Sequence, residues 1–168
     1  MNSTPYKVQR IFLLDFYINE DFPFFAYFYV KLQDAYASEN NTVGNWVSIG
    51  FIAPGAKAAS ENTGSTTSFT YSGGKAAVTV VCPTDATNKD GVCQNGESTV
   101  PASGGTVTGG FVATSLAKLN DCPTGTAWQV DATTENGVVA YTKTIGRKTP
   151  SENTNCNALT PQFANIGK

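Results

Sequence analysis

The sequence predicts an α+β domain, one N-terminal helix packed on an antiparallel β-sheet meander, and three observations carry that prediction. Apolar residues recur at helical spacing from Phe25 to Tyr36. Two alternating segments flank Asn136-Gly137, the dipeptide that suits a two-residue hairpin turn because both positions tolerate positive φ. Cys82, Cys93, Cys122 and Cys156 form an even set with no CxxC pair and no histidine in the chain, which fits disulfide-closed loops better than zinc.

A chain of 168 residues is long enough for one buried core and short for two. Charged residues make up only 14%, and the formal charge of −2 lacks any basic run, which argues against a nucleic-acid partner. No apolar stretch reaches the length of a membrane span.

In chain order, residues 1–28 form an atypical aromatic-rich segment. Ten of the seventeen Phe and Tyr residues lie before Val30, without a clean period, and Pro23 is expected to interrupt any helix there. Such a segment reads as a hydrophobic anchor or oligomer contact, or as a stretch foreign to the rest. It carries no recognisable export signal, because Asp15, Asn19, Glu20, Asp21 and Pro23 break the apolar run. Disulfides imply the opposite, an oxidising compartment outside the cytosol.

Residues 29–168 read as the globular domain, with a helix over 29–41. Its stripe begins at Phe25 and continues through Phe28 or Tyr29, Leu32, and Ala35 or Tyr36, with Lys31, Gln33, Asp34 and Ser38 outside it. The Asn-rich run before Gly44 ends it. Residues 42–67 read as a long loop, tacked to the core by Trp46, Ile49, Phe51 and Ile52 and mobile from Gly55 to Thr67.

Residues 68–168 read as the sheet and a C-terminal loop. Segments 68–72 and 76–81 flank Gly73-Gly74 as a hairpin, and 110–116 reads as a strand. Segments 126–133 and 138–145 form the clearest hairpin, with Trp128, Val130 and Ala132 on one face and Gln129, Asp131 and Thr133 on the other. Four cysteines allow three pairings. Locality favours Cys82 with Cys93, leaving Cys122 with Cys156.

Candidate chemistry is sparse. Without histidine there is no Ser-His-Asp, Cys-His or HExxH arrangement, and no pair among the thirteen carboxylates stands out as a glycosidase pair. The Gly-rich stretches lack phosphate-loop context, so no cofactor is expected. Asp85, Asn88, Asp90 and Glu97 put oxygen donors into one loop, but the pattern of a calcium loop is incomplete and a solvated turn is the better explanation of them. Trp46, Trp128 and Tyr141 are candidates for a sugar-stacking surface, against the alternative of core packing. Asn2-Ser3-Thr4 and Asn40-Asn41-Thr42 match the glycosylation pattern at the frequency chance provides.

Taken together, YVKLQDAYASENNTVGNWVSIGFIAPG, GGFVATSLAKLNDC, TAWQV and CNALTPQFANIG resemble, in that order, the globular part of a type IV pilin or pseudopilin over residues 29–168. The resemblance implies a spine helix running into an αβ loop, sheet strands, and a region closed by Cys156 with Cys122. It implies a non-catalytic filament subunit at the cell surface, partnered by other pilin subunits and possessing an outward, adhesive face for polysaccharide or a host surface. Residues 1–28 depart from the family's basic leader and long apolar helix, so membrane insertion, leader processing and polymerisation are not expected of that segment. Two other classes stay open: a secreted carbohydrate-binding or adhesion module, and a small secreted glycoside-active enzyme.

Overall fold

The computed structural model of the chain describes residues 22–58, 61–73, 105–135 and 138–168, together with the backbone of 88–89 and 92–93. Helix α1 spans Phe22–Asn40. It begins upstream of the expected Tyr29, and Pro23 sits in its first turn, where a missing N–H costs nothing because those amides have no intrahelical acceptor. Pro23 therefore opens the helix instead of interrupting it. Asn41, at φ 54°, turns left-handed and stops it, and the Asn40 side-chain amide donates to the Tyr36 carbonyl in the last turn.

A sheet of five antiparallel strands lies beneath α1, in the order β1-β2-β5-β6-β7. These are β1 (Thr63–Ser65), β2 (Phe69–Ser72), β5 (Thr106–Ser115), β6 (Ala127–Glu135) and β7 (Val138–Ile145). A separate two-stranded ladder pairs β3 (Asn88–Lys89) with β4 (Val92–Cys93). The segment expected to be one loop over 42–67 contains a one-turn helix, α2 (Trp46–Ile49), and strand β1. Asn45 caps α2 by accepting the Ser48 N–H at 2.8 Å, which explains why a short polar-flanked stretch holds a helical turn. Both sides of β2 are taken, by β1 and β5, so the Gly73-Gly74 hairpin is not how β2 is paired.

The β6–β7 hairpin has the expected register, from Glu135 opposite Val138 to Trp128 opposite Ile145. Trp128, Val130 and Ala132 are fully buried, and Thr133 is exposed on the other face. Strand β5 starts at Thr106 and contains a bulge. Between Val107 and Phe111 it advances four positions while β6 advances two, from Ala132 to Val130. Gly109 supplies the positive φ of 62° that this kink requires, and its N–H is held at 2.5 Å by the Asp131 carboxylate.

The core lies between α1 and the sheet and is dominated by aromatic rings. Phe22 meets Phe69 at 5.0 Å, Trp128 at 4.9 Å and Phe163 at 6.0 Å; further along, Phe51 meets Trp46 at 4.9 Å and Phe111 at 5.9 Å. Each buried ring of this kind contributes roughly 1.5–3 kcal/mol through removal from water, and tilted or edge-on pairing adds about 0.5–1.5 kcal/mol. Helix α3 (Thr154–Leu159) and a 3₁₀ turn (Phe163–Asn165) close the core at the N-terminal end of α1. A Cys122–Cys156 disulfide fastens them, with Cα atoms 4.9 Å apart. The expected Cys82–Cys93 bridge lies outside the described residues.

Candidate assembly surface

Helix α1 presents two different faces, and the inner one is closed by polar contacts as well as by rings. Phe22, Ala26, Tyr29, Val30, Gln33 and Ala37 are buried, a stripe at helical spacing. Gln33, expected outside the stripe, is fully buried. Its Nε2 donates to the Tyr29 hydroxyl at 2.9 Å and to the Gly44 carbonyl at 2.5 Å, and its Oε1 accepts the Gly44 N–H at 3.0 Å. One side chain thereby satisfies both backbone groups of Gly44, where the chain turns back along the helix. The sequence offers no signal for this beyond an amide one helical turn after a tyrosine.

Tyr141, a candidate surface residue, is partly buried and points at α1. Its hydroxyl oxygen lies 2.8 Å from the Asp34 carboxylate and 3.1 Å from the Val30 carbonyl, both able to accept its proton. Burial raises its pKa first, and hydrogen bonding to the Asp34 carboxylate raises it further. Tyr29 is pushed up as well, by burial. Both are locking groups whose chemistry is that of a neutral hydroxyl at ordinary pH.

Trp46 and Trp128, the other two stacking candidates, are 1% and 0% exposed. Their indole N–H groups donate inside the protein, Trp46 to the Gly110 carbonyl at 2.7 Å and Trp128 to the Thr160 hydroxyl at 3.0 Å. The expectation of a glycan platform built from them is therefore corrected: each ring lies on the core face because its position in α2 or β6 points inward, and its polar edge is already paired. The oxygen-donor loop holding Asp85, Asn88, Asp90 and Glu97 lies outside the described residues, apart from the backbone of Asn88. Among the described residues no cluster of His, Cys, Asp or Glu could hold a metal ion, and no helix is long and apolar enough to cross a membrane.

The outer face of α1 is only partly covered, the Phe28 ring meeting Phe51 at 6.2 Å. Tyr27 is 49% and Phe28 38% exposed, and Lys31 lies 5.3 Å above the Tyr27 ring. Pro23, Phe24 and Tyr27 line an open groove against Gln162, Asn165 and Ile166 of the C-terminal turn. No lining side chain of that groove is charged. A second open groove lies between Gly55, Lys57 and Glu61 and strands β1 and β2, and its Glu61 carboxylate accepts the Lys57 N–H at 2.9 Å. No protein-family model, characterised protein or solved structure matches this chain.

Proposed function

We propose that this protein is a non-catalytic structural subunit of a surface filament of the type IV pilus or type II secretion kind, assembled with other subunits of its class. The observation that carries the reading is the two-faced α1. Its inner face is locked to loop and sheet, whereas its outer face carries exposed aromatic side chains beside an uncharged groove. Singly exposed apolar residues are ordinary, but Tyr27 and Phe28, adjacent on one helix and flanked by the half-buried Phe24, form a patch that a neighbouring helix would remove from water. The segment order of helix, loop, antiparallel sheet and disulfide-closed end supports the same reading. In such an assembly α1 faces the filament interior and the sheet faces outward at the cell surface.

The test is a shear fraction from cells producing the protein, probed for this chain. It is expected among sheared filaments, and Tyr27→Glu with Phe28→Glu is expected to remove it from them while the cellular level and the Cys122–Cys156 bridge persist. Filaments that form normally without the chain, or that tolerate both substitutions, would reject the reading.

A further inference from the structure

The two edges of the sheet are unlike. Strand β1 is three residues long, and the loop at Pro54 and Gly55 lies so close that a side-chain carbon on Gly64 would strike the Pro54 carbonyl. Strand β7 is eight residues long, and five of them are β-branched: Val138, Val139, Thr142, Thr144 and Ile145. It has no proline and no bulge. Long straight edges of this composition are templates for a further strand.

The backbone phase of that edge is fixed by the hairpin end. The Ile145 N–H points away from β6, because it donates to the Lys148 carbonyl at 2.7 Å, while the Gly146 N–H reaches back across to Ala127. Alternation along an antiparallel strand then aims the N–H and C=O of Val139, Tyr141 and Lys143 away from β6 too. Among the described residues, no backbone group outside the β6–β7 ladder bonds to any of the three.

The side chains at the same positions set the chemistry. Tyr141 and Lys143 lie on the helix-side face, and the C-terminal Gly167 abuts the Tyr141 ring, which brings Lys168 beside Lys143. The Lys168 ammonium is held by the Asn165 side chain at 3.0 Å, and among the described residues no carboxylate forms an ion pair with either lysine. Burial and the neighbouring Lys168 charge both lower the Lys143 pKa. A second β7 would bring another Lys143 and no acid, since VVAYTKTI contains none. An inward lysine on an edge strand thus opposes self-pairing.

We infer that β7 is a docking edge for an extended, acidic segment of another polypeptide, added as a sixth antiparallel strand with a carboxylate opposite Lys143. Backbone bonds to Val139, Tyr141 and Lys143 provide the attachment, and the cross-strand charge pair selects the partner. This does not depend on filament assembly.

The test uses the full, oxidised chain and two short synthetic peptides of alternating Thr and Val, one with Glu at its centre and one with Lys. The Glu peptide is expected to slow amide exchange at Val139, Tyr141 and Lys143 and to bind about three- to tenfold more tightly than the Lys peptide, the range that replacing a cross-strand attraction by a repulsion gives. Lys143→Glu is expected to invert the preference and Lys143→Gln to abolish it, the latter being the milder change if the former unfolds. Failure of the Glu peptide to bind, equal binding of the two peptides, or binding that leaves those three amides unprotected would each overturn the inference.

Discussion

Gln33 shows how much one side chain can organise here. Removing its amide orphans the Gly44 N–H and C=O and opens a void beneath α1. Gln33→Ala is expected to destabilise the protein by about 2–4 kcal/mol in chemical denaturation, well beyond an exposed helix substitution. The tyrosines make a pH prediction. Tyr29 and Tyr141 have folded-state pKa values above the ordinary value near 10, so the folded state holds their protons longer than the unfolded chain does. Their contribution is fully present below pH ~10 and is lost as pH rises above it. Ultraviolet titration should therefore show these two phenols ionising together with unfolding, and Tyr141→Phe should reduce the alkaline loss while costing about 1–2 kcal/mol at neutral pH. None of this was legible in the sequence, because a Gln or Tyr in a helix or strand looks the same whether it is solvated or clasped.

At the scale of elements, legibility followed periodicity. The β6–β7 hairpin was readable because alternation and an Asn-Gly turn pointed to one register, and the middle of α1 because its apolar spacing was helical. The start of α1 was missed because crowded aromatics blur any stripe and because Pro23 reads as an interruption when its place in the first turn is not known. Strand β1, at Thr63–Ser65, has no apolar signature at all and exists by pairing with β2. The bulge in β5 was missed because it lies at the very start of, and just ahead of, the strand expected over 110–116. It brings Gly110 under the Tyr29 hydroxyl, where a methyl group would collide. Gly110→Ala is expected to cost about 1–3 kcal/mol and to disturb the adjoining Trp46 bond, visible as a shift in tryptophan emission. The candidate surface was only half legible: an aromatic-rich front end was evident, but which rings face water depends on the helix phase that the sheet imposes.

For the whole molecule, α1 is joined to the sheet by the ring cluster around Phe22 and by the Tyr141 hydroxyl, and to the following loop by the Gln33–Gly44 clasp. The first of these is roofed by Phe163, whose segment is tied back by the Cys122–Cys156 bridge. Loss of that bridge, by reduction or in Cys122→Ser, is expected to lower stability by ~3–4 kcal/mol on the loop-closure estimate, measured as a shift in the denaturation midpoint. The same bridge makes a covalent ring with a sequence separation of 34, and strands β6 and β7 both lie inside it. A protease that nicks the backbone between those strands therefore cannot divide the molecule. The cut chain would migrate as one species on a non-reducing gel and as two fragments once a thiol is added, so a clipped molecule carries its damage unseen until it is reduced.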